Sequence, residues 1–198
     1  MAAAELEFAC ACGQVAGVLI DVGPSRGDHV VCHCGDCQNF ARYLGATNRI
    51  LGPYGGTDLY QGRCAKMRLT KGAGQLSCLH LTDKPTLRWF ASCCRTPMFN
   101  TYANGRIPYV TALLANCVQS DVKPKIGPVV GHLFLPDDNA LPGAPRMSMA
   151  KLMRRFFKRM VRDMLSGDRR RAALFDPETL EPISKPYRLT KADQSTLA

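Results

Sequence analysis

The placement of the cysteines constrains this chain more than any other feature. Ten cysteines occur in 198 residues, and seven of them fall into three short groups. The groups are Cys10 and Cys12 in ACACGQ, Cys32, Cys34 and Cys37 in CHCGDC, and Cys93 and Cys94 in FASCCRTP. Zinc binds thiolate sulfurs tetrahedrally at about 2.3 Å, so ligands on one loop lie two to four residues apart on a turning backbone. The C-x-C and C-x-x-C spacings meet this condition, and Gly13 and Gly35 suit such turns. We therefore expect these seven cysteines to bind Zn²⁺.

The other three cysteines, Cys64, Cys78 and Cys117, stand alone in apolar contexts, which is typical of small buried hydrophobic residues. The opening stretch MAAAELEF has Glu5 and Glu7 where a secretory signal carries Lys or Arg, and no later window reaches the apolar length of a membrane span. These features predict a cytoplasmic protein without a transmembrane segment. In a reducing compartment, cysteines serve as metal ligands, core residues or catalytic thiols more often than as disulfides.

Short apolar segments separated by turn-forming residues run through the first two-thirds of the chain. The predicted strands are residues 15–22, 29–34, 57–62, 65–70, 76–81, 87–91 and, later, 129–135. Glycine and proline clusters such as GPSRGD and LGPYGG lie between them, as expected at turns. Closely spaced strands without long intervening helices favour antiparallel pairing. The predicted fold is mainly β, with small antiparallel sheets around zinc-thiolate sites. Residues 38–45 are predicted to form a short helix, and the pattern of residues 107–118 fits either a strand or a helix.

The net charge of +10 is concentrated near the C-terminus. Residues 1–145 carry 13 Lys and Arg against 10 Asp and Glu, whereas residues 146–198 carry 13 against 6. Between Met149 and Leu165, apolar residues recur every three or four positions and six cations fill the opposite side, the pattern of an amphipathic helix. Ser148 and Gly167 are expected at its two ends. We predict a zinc-binding β domain over residues 1–145 and a basic amphipathic helix with a proline-containing tail over residues 146–198.

Two uses of this helix fit the sequence. Its apolar side could dock on the sheet domain and leave the charges exposed. Alternatively, residues 149–171 could contact nucleic acid, an anionic membrane surface or a calmodulin-like partner.

The order of the cysteine groups resembles the glutathione-dependent formaldehyde-activating enzyme family, which includes centromere protein V. The shared pattern, over about residues 8–135, is a C-x-C-G, then a C-x-C-x-x-C, then a strand that ends in an aromatic residue and cysteine before a Thr-Pro turn. The resemblance implies small antiparallel sheets with two zinc sites, one structural and one that handles a glutathione thiol adduct. The implied structural ligands are Cys10, Cys12 and Cys94, and the implied functional ligands are Cys32, Cys34 and Cys37.

The distal group departs from the family pattern. The family has F-C-x-x-C-G, whereas FASCCRTP has Ala91 at the first cysteine position, adjacent cysteines at 93 and 94, and Arg95 at the usual glycine. Consecutive side chains of an extended strand point to opposite faces. Cys93 therefore either completes the structural site through a turn at Ser92 or faces the middle group and closes it as a fourth thiolate.

These two alternatives predict different functions. An open middle site predicts a zinc-dependent carbon-sulfur lyase, because a substrate thiol can take the remaining metal position and be deprotonated there. The expected substrate is a small thiol such as a glutathione adduct, an S-hydroxymethyl thiol. A cation is then needed near the site, and the candidates are Arg42, Arg49, Arg88 and Arg95. A closed site predicts a non-catalytic zinc module whose basic helix contacts a partner, a membrane surface or nucleic acid. The sequence identifies no individual catalytic residue.

Overall fold

A computed structural model describes residues 4–135, 141–145, 147–195 and 197 of the chain. Its strands are β1 (Ala4–Ala9), β2 (Ala16–Val22), β3 (Asp28–Cys32), β4 (Thr57–Arg63), β5 (Met67–Lys71), β6 (Leu76–His80), β7 (Thr86–Ala91), β8 (Thr96–Tyr102), β9 (Tyr109–Leu113), β10 (Gly131–Leu133) and β11 (Tyr187–Arg188). Its α-helices are α1 (Gly35–Tyr43), α2 (Thr47–Ile50), α3 (Gln119–Ile126), α4 (Met149–Leu165) and α5 (Lys191–Ser195). Single 3₁₀ turns lie at Pro53–Gly55, Cys64–Lys66, Ala73–Gln75, Leu114–Asn116 and Asp168–Arg171.

The strands of the described residues form two sheets. Strands β1, β2 and β5 make a three-stranded antiparallel sheet in that order. The other eight follow the order β10-β3-β4-β9-β8-β7-β6-β11, with parallel pairing at the two edges and antiparallel pairing between them. The prediction of a mainly β fold with antiparallel sheets and a C-terminal helix is confirmed. Strand β10 lies within the predicted strand 129–135, but β11 and the parallel pairing at both edges were not predicted.

The small sheet packs on the large one through an aromatic core. Leu6 and Phe8 of β1 share this core with Trp89 and Phe99 of the large sheet. The Phe8 and Phe99 rings meet edge to face at 5.1 Å, and the indole N–H of buried Trp89 donates to Thr101 Oγ1 at 2.8 Å. Because buried aromatic residues dominate packing energy, this core fixes β7 and β8, and with them the turn that joins these strands.

A second apolar cluster lies between the large sheet and helices α1 and α4. It includes Val30 and Leu59 from the sheet, Ala41 from α1 and Leu152 from α4. Cys32 and Cys37 belong to the same cluster. The middle cysteine group is therefore placed at the junction of the sheet with two helices.

Helix α4 has the predicted bounds, and Gly167 follows it in the left-handed conformation at φ 71°. The helix docks through a mixed side rather than through its apolar side. Of its residues, Leu152 and Asp163 are buried. The fully buried Asp28 of β3 pairs with Arg155 Nε at 2.5 Å and with Arg159 at 2.6 Å.

Most of the apolar side of α4 faces solvent, so the first of the two uses considered above, docking of that side on the sheet domain, is wrong for most of its residues. We call its exposed residues the apolar stripe: Met149, Met153, Phe157, Val161, Met164 and Leu165, which are 37–84% exposed. The physical reason is the buried Asp28, because a carboxylate removed from water must be paired. Its pairing turns two arginines of α4 toward the sheet. Within the described residues, no helix combines the length and apolarity needed to cross a bilayer.

The tail after α4 returns across the sheets. Leu174 and Phe175 are buried in the aromatic core, where the Phe175 ring meets Trp89 at 6.1 Å. Strand β11 then pairs with β6, and Leu189 packs with Phe40 and Phe90.

Candidate functional site

Two turns bring the first and third cysteine groups together. In the β1–β2 turn, Gly13 has φ 73° and its N–H donates to Cys10 O at 2.9 Å. Strand β7 ends at Ala91, and residues 92–95 form a turn before β8. The sulfurs of Cys10, Cys12, Cys93 and Cys94 consequently lie within 4.8 Å of one another. Cys93 thus joins this four-cysteine group, as in the first alternative considered above.

The geometry of the four-cysteine group suits a tetrahedral metal ion. The Sγ–Sγ distances are 3.6 Å for Cys10–Cys12, 3.9 Å for Cys10–Cys93, 3.4 Å for Cys12–Cys93 and 3.8 Å for Cys93–Cys94. Four sulfurs at 2.3 Å from a zinc ion would be about 3.8 Å apart. The backbone N–H of Val15 also donates to Cys10 Sγ at 3.3 Å, the kind of contact that orients metal ligands.

The departure at Arg95 has a conformational explanation. Arg95 has φ 55°, in the left-handed region that favours glycine. Its guanidinium donates to Tyr43 O at 2.6 Å and lies 5.5 Å from the centre of the Tyr43 ring. These two contacts with α1 support a backbone conformation that glycine adopts without strain. Gly35, by contrast, begins α1 and is not in the left-handed region.

The middle cysteines form a separate group of three. Cys32 ends β3, Cys34 is the N-cap of α1 and Cys37 lies in its first turn, so the strand-to-helix junction gathers their sulfurs within 4.8 Å. In the described part of the chain, no fourth Cys, His, Asp or Glu atom belongs to this group. His33 points elsewhere, since its Nδ1 is 3.1 Å from Tyr54 O and its Nε2 is 3.0 Å from a ring nitrogen of His132.

Positive charge lies beside the three-cysteine group, next to the carboxylate of Asp36. The buried Arg88 donates to Cys37 Sγ at 3.6 Å, and the N-terminus of α1 adds the positive end of its dipole. Hydrogen bonds from Cys32 and Cys37, together with Arg88, hold the pKa of the Cys34 thiol far below its ordinary value. The pKa of Cys32 rises in return, mainly through its hydrogen bond to Cys34. A stabilised thiolate among three sulfurs is the state in which cysteine binds metals.

The three sulfurs line a cavity of about 370 Å³. Its floor is the large sheet, and its roof is formed by residues of α4, namely Met149, Leu152, Met153 and Phe156. The Phe156 ring packs on Tyr109 at 5.5 Å. Helix α4 is therefore a wall of the site.

Apart from Arg88, the polar side chains that line this cavity were not predicted from the sequence. Asn100 Oδ1 is buried and has no hydrogen-bond partner among the described protein atoms, so it can accept from a ligand. Gln61 Nε2 donates to Tyr109 OH at 3.3 Å, and burial raises the pKa of this phenol. Lys84 lies at the rim, with Nζ 2.7 Å from the carboxylate of Asp36. These residues are distant from one another in the sequence and are brought together by the pairing of the strands. No local sequence pattern therefore marks them as a group.

Of the four candidate arginines, Arg88 lines the cavity. The other three point to different partners: Arg42 to Leu197 O, Arg49 to Asn116 and Arg95 to Tyr43 O.

The lone cysteines are buried as predicted. Burial raises the pKa of Cys64, Cys78 and Cys117 to about 12, so these thiols stay protonated.

Comparisons with known proteins place the chain in a family without assigning it an activity. None of the curated proteins compared with this chain matches it. A crystal structure of a Rhodobacter sphaeroides protein from a structural genomics programme is similar, with 17% identity and a TM-score of 0.38 over 56% of this chain and 85% of that one. The model of a family of unknown function, DUF6151, matches residues 3–184, and the chain belongs to that family.

Proposed function

We propose that Cys32, Cys34 and Cys37 bind Zn²⁺ and that the protein is a carbon-sulfur lyase for adducts of a small thiol with an aldehyde. One observation carries the proposal: three sulfurs face a cavity while Cys93, the residue that could have closed the site, lies in the other cysteine group. The resemblance in cysteine order to the formaldehyde-activating family supplies the substrate class, an S-hydroxymethyl thiol such as a glutathione adduct.

The reaction makes or breaks one carbon-sulfur bond and moves one proton, and it needs no oxidant or reductant. The thiol sulfur bonds to the carbonyl carbon of the aldehyde while the thiol proton is transferred to the carbonyl oxygen, and the reverse reaction cleaves this carbon-sulfur bond. A bound zinc ion would supply the low thiol pKa that makes the sulfur nucleophilic at neutral pH.

The residues of the cavity have complementary roles in this proposal. Arg88 and Lys84 line the same cavity and share one carboxylate, Asp36, so the pair keeps a net positive charge that attracts an anionic thiol such as glutathione. Asn100 Oδ1 accepts a hydrogen bond from a hydroxyl or amide of the substrate. Leu152 and Phe156 exclude water from the reacting sulfur, since they form the roof.

Metal analysis combined with an exchange assay tests the proposal. Wild-type protein is expected to hold two zinc ions per chain and to accelerate the exchange of formaldehyde with its glutathione adduct, measured by NMR. Cys34→Ser should keep its fold, retain one zinc and lose the acceleration. Cys117→Ala, which removes a lone buried thiol, should retain both ions and the activity. One zinc in the wild type, or no acceleration by the two-zinc protein, contradicts the lyase proposal.

A second candidate function is a non-catalytic metal-binding module that contacts an anionic membrane surface through α4. The apolar stripe favours this candidate, because contact with nucleic acid requires cations but not exposed Phe157, Val161 and Leu165. The exposed cations Lys151 and Arg154 on the same helix would attract acidic headgroups.

Vesicle sedimentation separates this candidate from the lyase. Binding to vesicles containing phosphatidylserine, and its loss in Phe157→Ser with Leu165→Ser, would support the membrane candidate. Both residues are exposed, so the fold should survive, and equal sedimentation with neutral vesicles would contradict the candidate.

A further inference from the structure

A second cavity, separate from the cysteines, lies on the other flank of α4. It has a volume of about 460 Å³ and is enclosed by β2, the loop after β2, the large sheet and α4. We call it the cationic cavity, because seven of its lining residues are basic: Arg26, Arg63, Lys66, Arg155, Lys158, Arg159 and Arg162. The volume lies within the range of about 300–1,000 Å³ that is usual for small-molecule sites.

The carboxylates near this cavity do not balance its charge. Asp21 is the acidic residue among those lining it. Behind the wall, Asp28 pairs with Arg155 and Arg159, while Asp163 and Asp168 pair with Arg63. Seven cations set against these four carboxylates leave a net charge of +3.

The imbalance is concentrated on α4. Lys158 and Arg162 are exposed and form no ion pair with any described residue. They lie four residues apart, and each is three residues from an arginine of the Asp28 pair, so the four cations crowd one side of the helix. Like charges at this spacing repel one another on a helix, and a bound anion would relieve that repulsion.

The remaining walls indicate the size and chemistry of the anion. Leu19, Val22, Val110 and Ala112 add apolar surface to the cavity, and Ser25 adds a hydroxyl group. Guanidinium groups bind phosphate oxygens through paired hydrogen bonds. A group with about three negative charges joined to an apolar part matches these walls.

We propose that the cationic cavity binds a small organic diphosphate, such as a nucleoside diphosphate. The phosphates contact Lys158, Arg162 and the flanking Arg26 and Lys66, while the organic part packs on the apolar wall. This site is independent of the cysteine chemistry, since the two cavities share no lining residue.

Calorimetric titration of the full-length protein tests the site, with ADP, inorganic pyrophosphate and adenosine as probes in about 0.15 M salt. ADP is expected to bind, pyrophosphate more weakly and adenosine not at all. The double substitution Lys158→Gln with Arg162→Gln should weaken ADP binding at least about tenfold, because it removes charge-assisted hydrogen bonds. Neither side chain forms an ion pair or hydrogen bond with a described residue, and the substitutions relieve like-charge repulsion, so thermal unfolding should not shift to lower temperature.

A matched control lies on the same helix. The double substitution Lys151→Gln with Arg154→Gln removes an equal number of positive charges from exposed positions outside the cationic cavity. It should change the affinity for ADP by less than about twofold. Equal weakening in both double variants would mean diffuse attraction to a basic helix and would overturn the proposal. A wild-type protein that does not bind ADP would overturn the proposal as well. The same holds if sedimentation shows that the protein binds vesicles containing a phosphorylated inositol lipid while calorimetry detects no binding of ADP.

Discussion

The ion cluster around Asp28 gives the sharpest test of how α4 is held over the cysteine cavity. Asp28 is fully buried on β3, and its two carboxylate oxygens pair with Arg155 and Arg159 of the helix. The substitution Asp28→Asn keeps the shape of the side chain but removes its charge. Two arginines then remain at the sheet without the charge that compensates them.

The expected cost follows from the burial of the three groups. Removing one partner of a buried ion pair costs about 3–5 kcal/mol. Because the Arg155 side chain is 30% exposed and Arg159 is 14% exposed, water screens the uncompensated charges in part, so we expect about 3 kcal/mol, the lower end of that range. The loss should appear as a lower urea midpoint in equilibrium unfolding followed by fluorescence of the buried Trp89.

A matched carboxylate provides the control. Asp121 pairs with Lys125 at 2.7 Å on the surface of α3, and Asp121→Asn should cost at most about 0.5 kcal/mol. If the two Asn variants unfold with the same free energy within about 0.5 kcal/mol, the ion cluster does not hold α4, and the explanation for the exposed apolar stripe is wrong.

Three further predictions concern the cysteines and one histidine. Cys93→Ser should prevent the four-cysteine group from holding the metal ion that we expect there and should destabilise the fold, because that group joins the β1–β2 turn to the β7–β8 turn. Cys64, whose pKa burial raises to about 12, should resist alkylation in folded protein and react once urea unfolds it. Burial lowers the pKa of His29, but hydrogen bonds to Asp58 and to Gly127 O outweigh that effect and leave it raised. The contribution of protonated His29 to stability should therefore be complete below about pH 6.5 and be lost as the pH rises through its folded-state pKa. Thermal unfolding measured between pH 5 and pH 9 should show this decline in stability. The substitution Asp58→Asn should make the decline smaller.

Each of these has a contrary outcome. A fully folded two-metal Cys93→Ser protein would place Cys93 outside the four-cysteine group. Alkylation of Cys64 at the rate of a free thiol in the folded protein would contradict its burial. A decline with pH that persists unchanged in Asp58→Asn would assign the titration to another residue.

Much of the fold was predictable where burial produces a local pattern, although β1 was missed despite its alternating buried residues Leu6 and Phe8. The 149–165 helix has a clear period, and its observed bounds are those predicted. Strand β8 was missed because six of its seven residues are buried, so no alternation marks it, and Pro97 argued against a strand. Residues 107–118 were ambiguous for the same reason, and they form β9 followed by a 3₁₀ turn.

The cysteines of the two groups that could hold metal ions were predictable as residues, but the composition of each group was not. Spacing alone identified Cys32, Cys34 and Cys37, which lie on one strand-to-helix junction. Which of the two groups Cys93 joins depends on the turn formed by residues 92–95, and this turn lacks the glycine that is usual in the family pattern. The surroundings depend on contacts distant in sequence, such as Arg88 with Cys37 across 51 positions and Arg159 with Asp28 across 131. No local pattern specifies such pairs, so neither cavity could be predicted.

The central claim is that one cysteine group saturates a metal ion with four sulfur ligands. The other group supplies three sulfur ligands and leaves one coordination position open. Cadmium NMR of protein with its metal exchanged for cadmium tests this most directly, because the resonance of each ion reports its own ligands. We expect two resonances, of which one shifts when glutathione is added and is missing in Cys34→Ser, while the other is unchanged in both experiments. A single resonance, or two that both ignore glutathione, would contradict the claim.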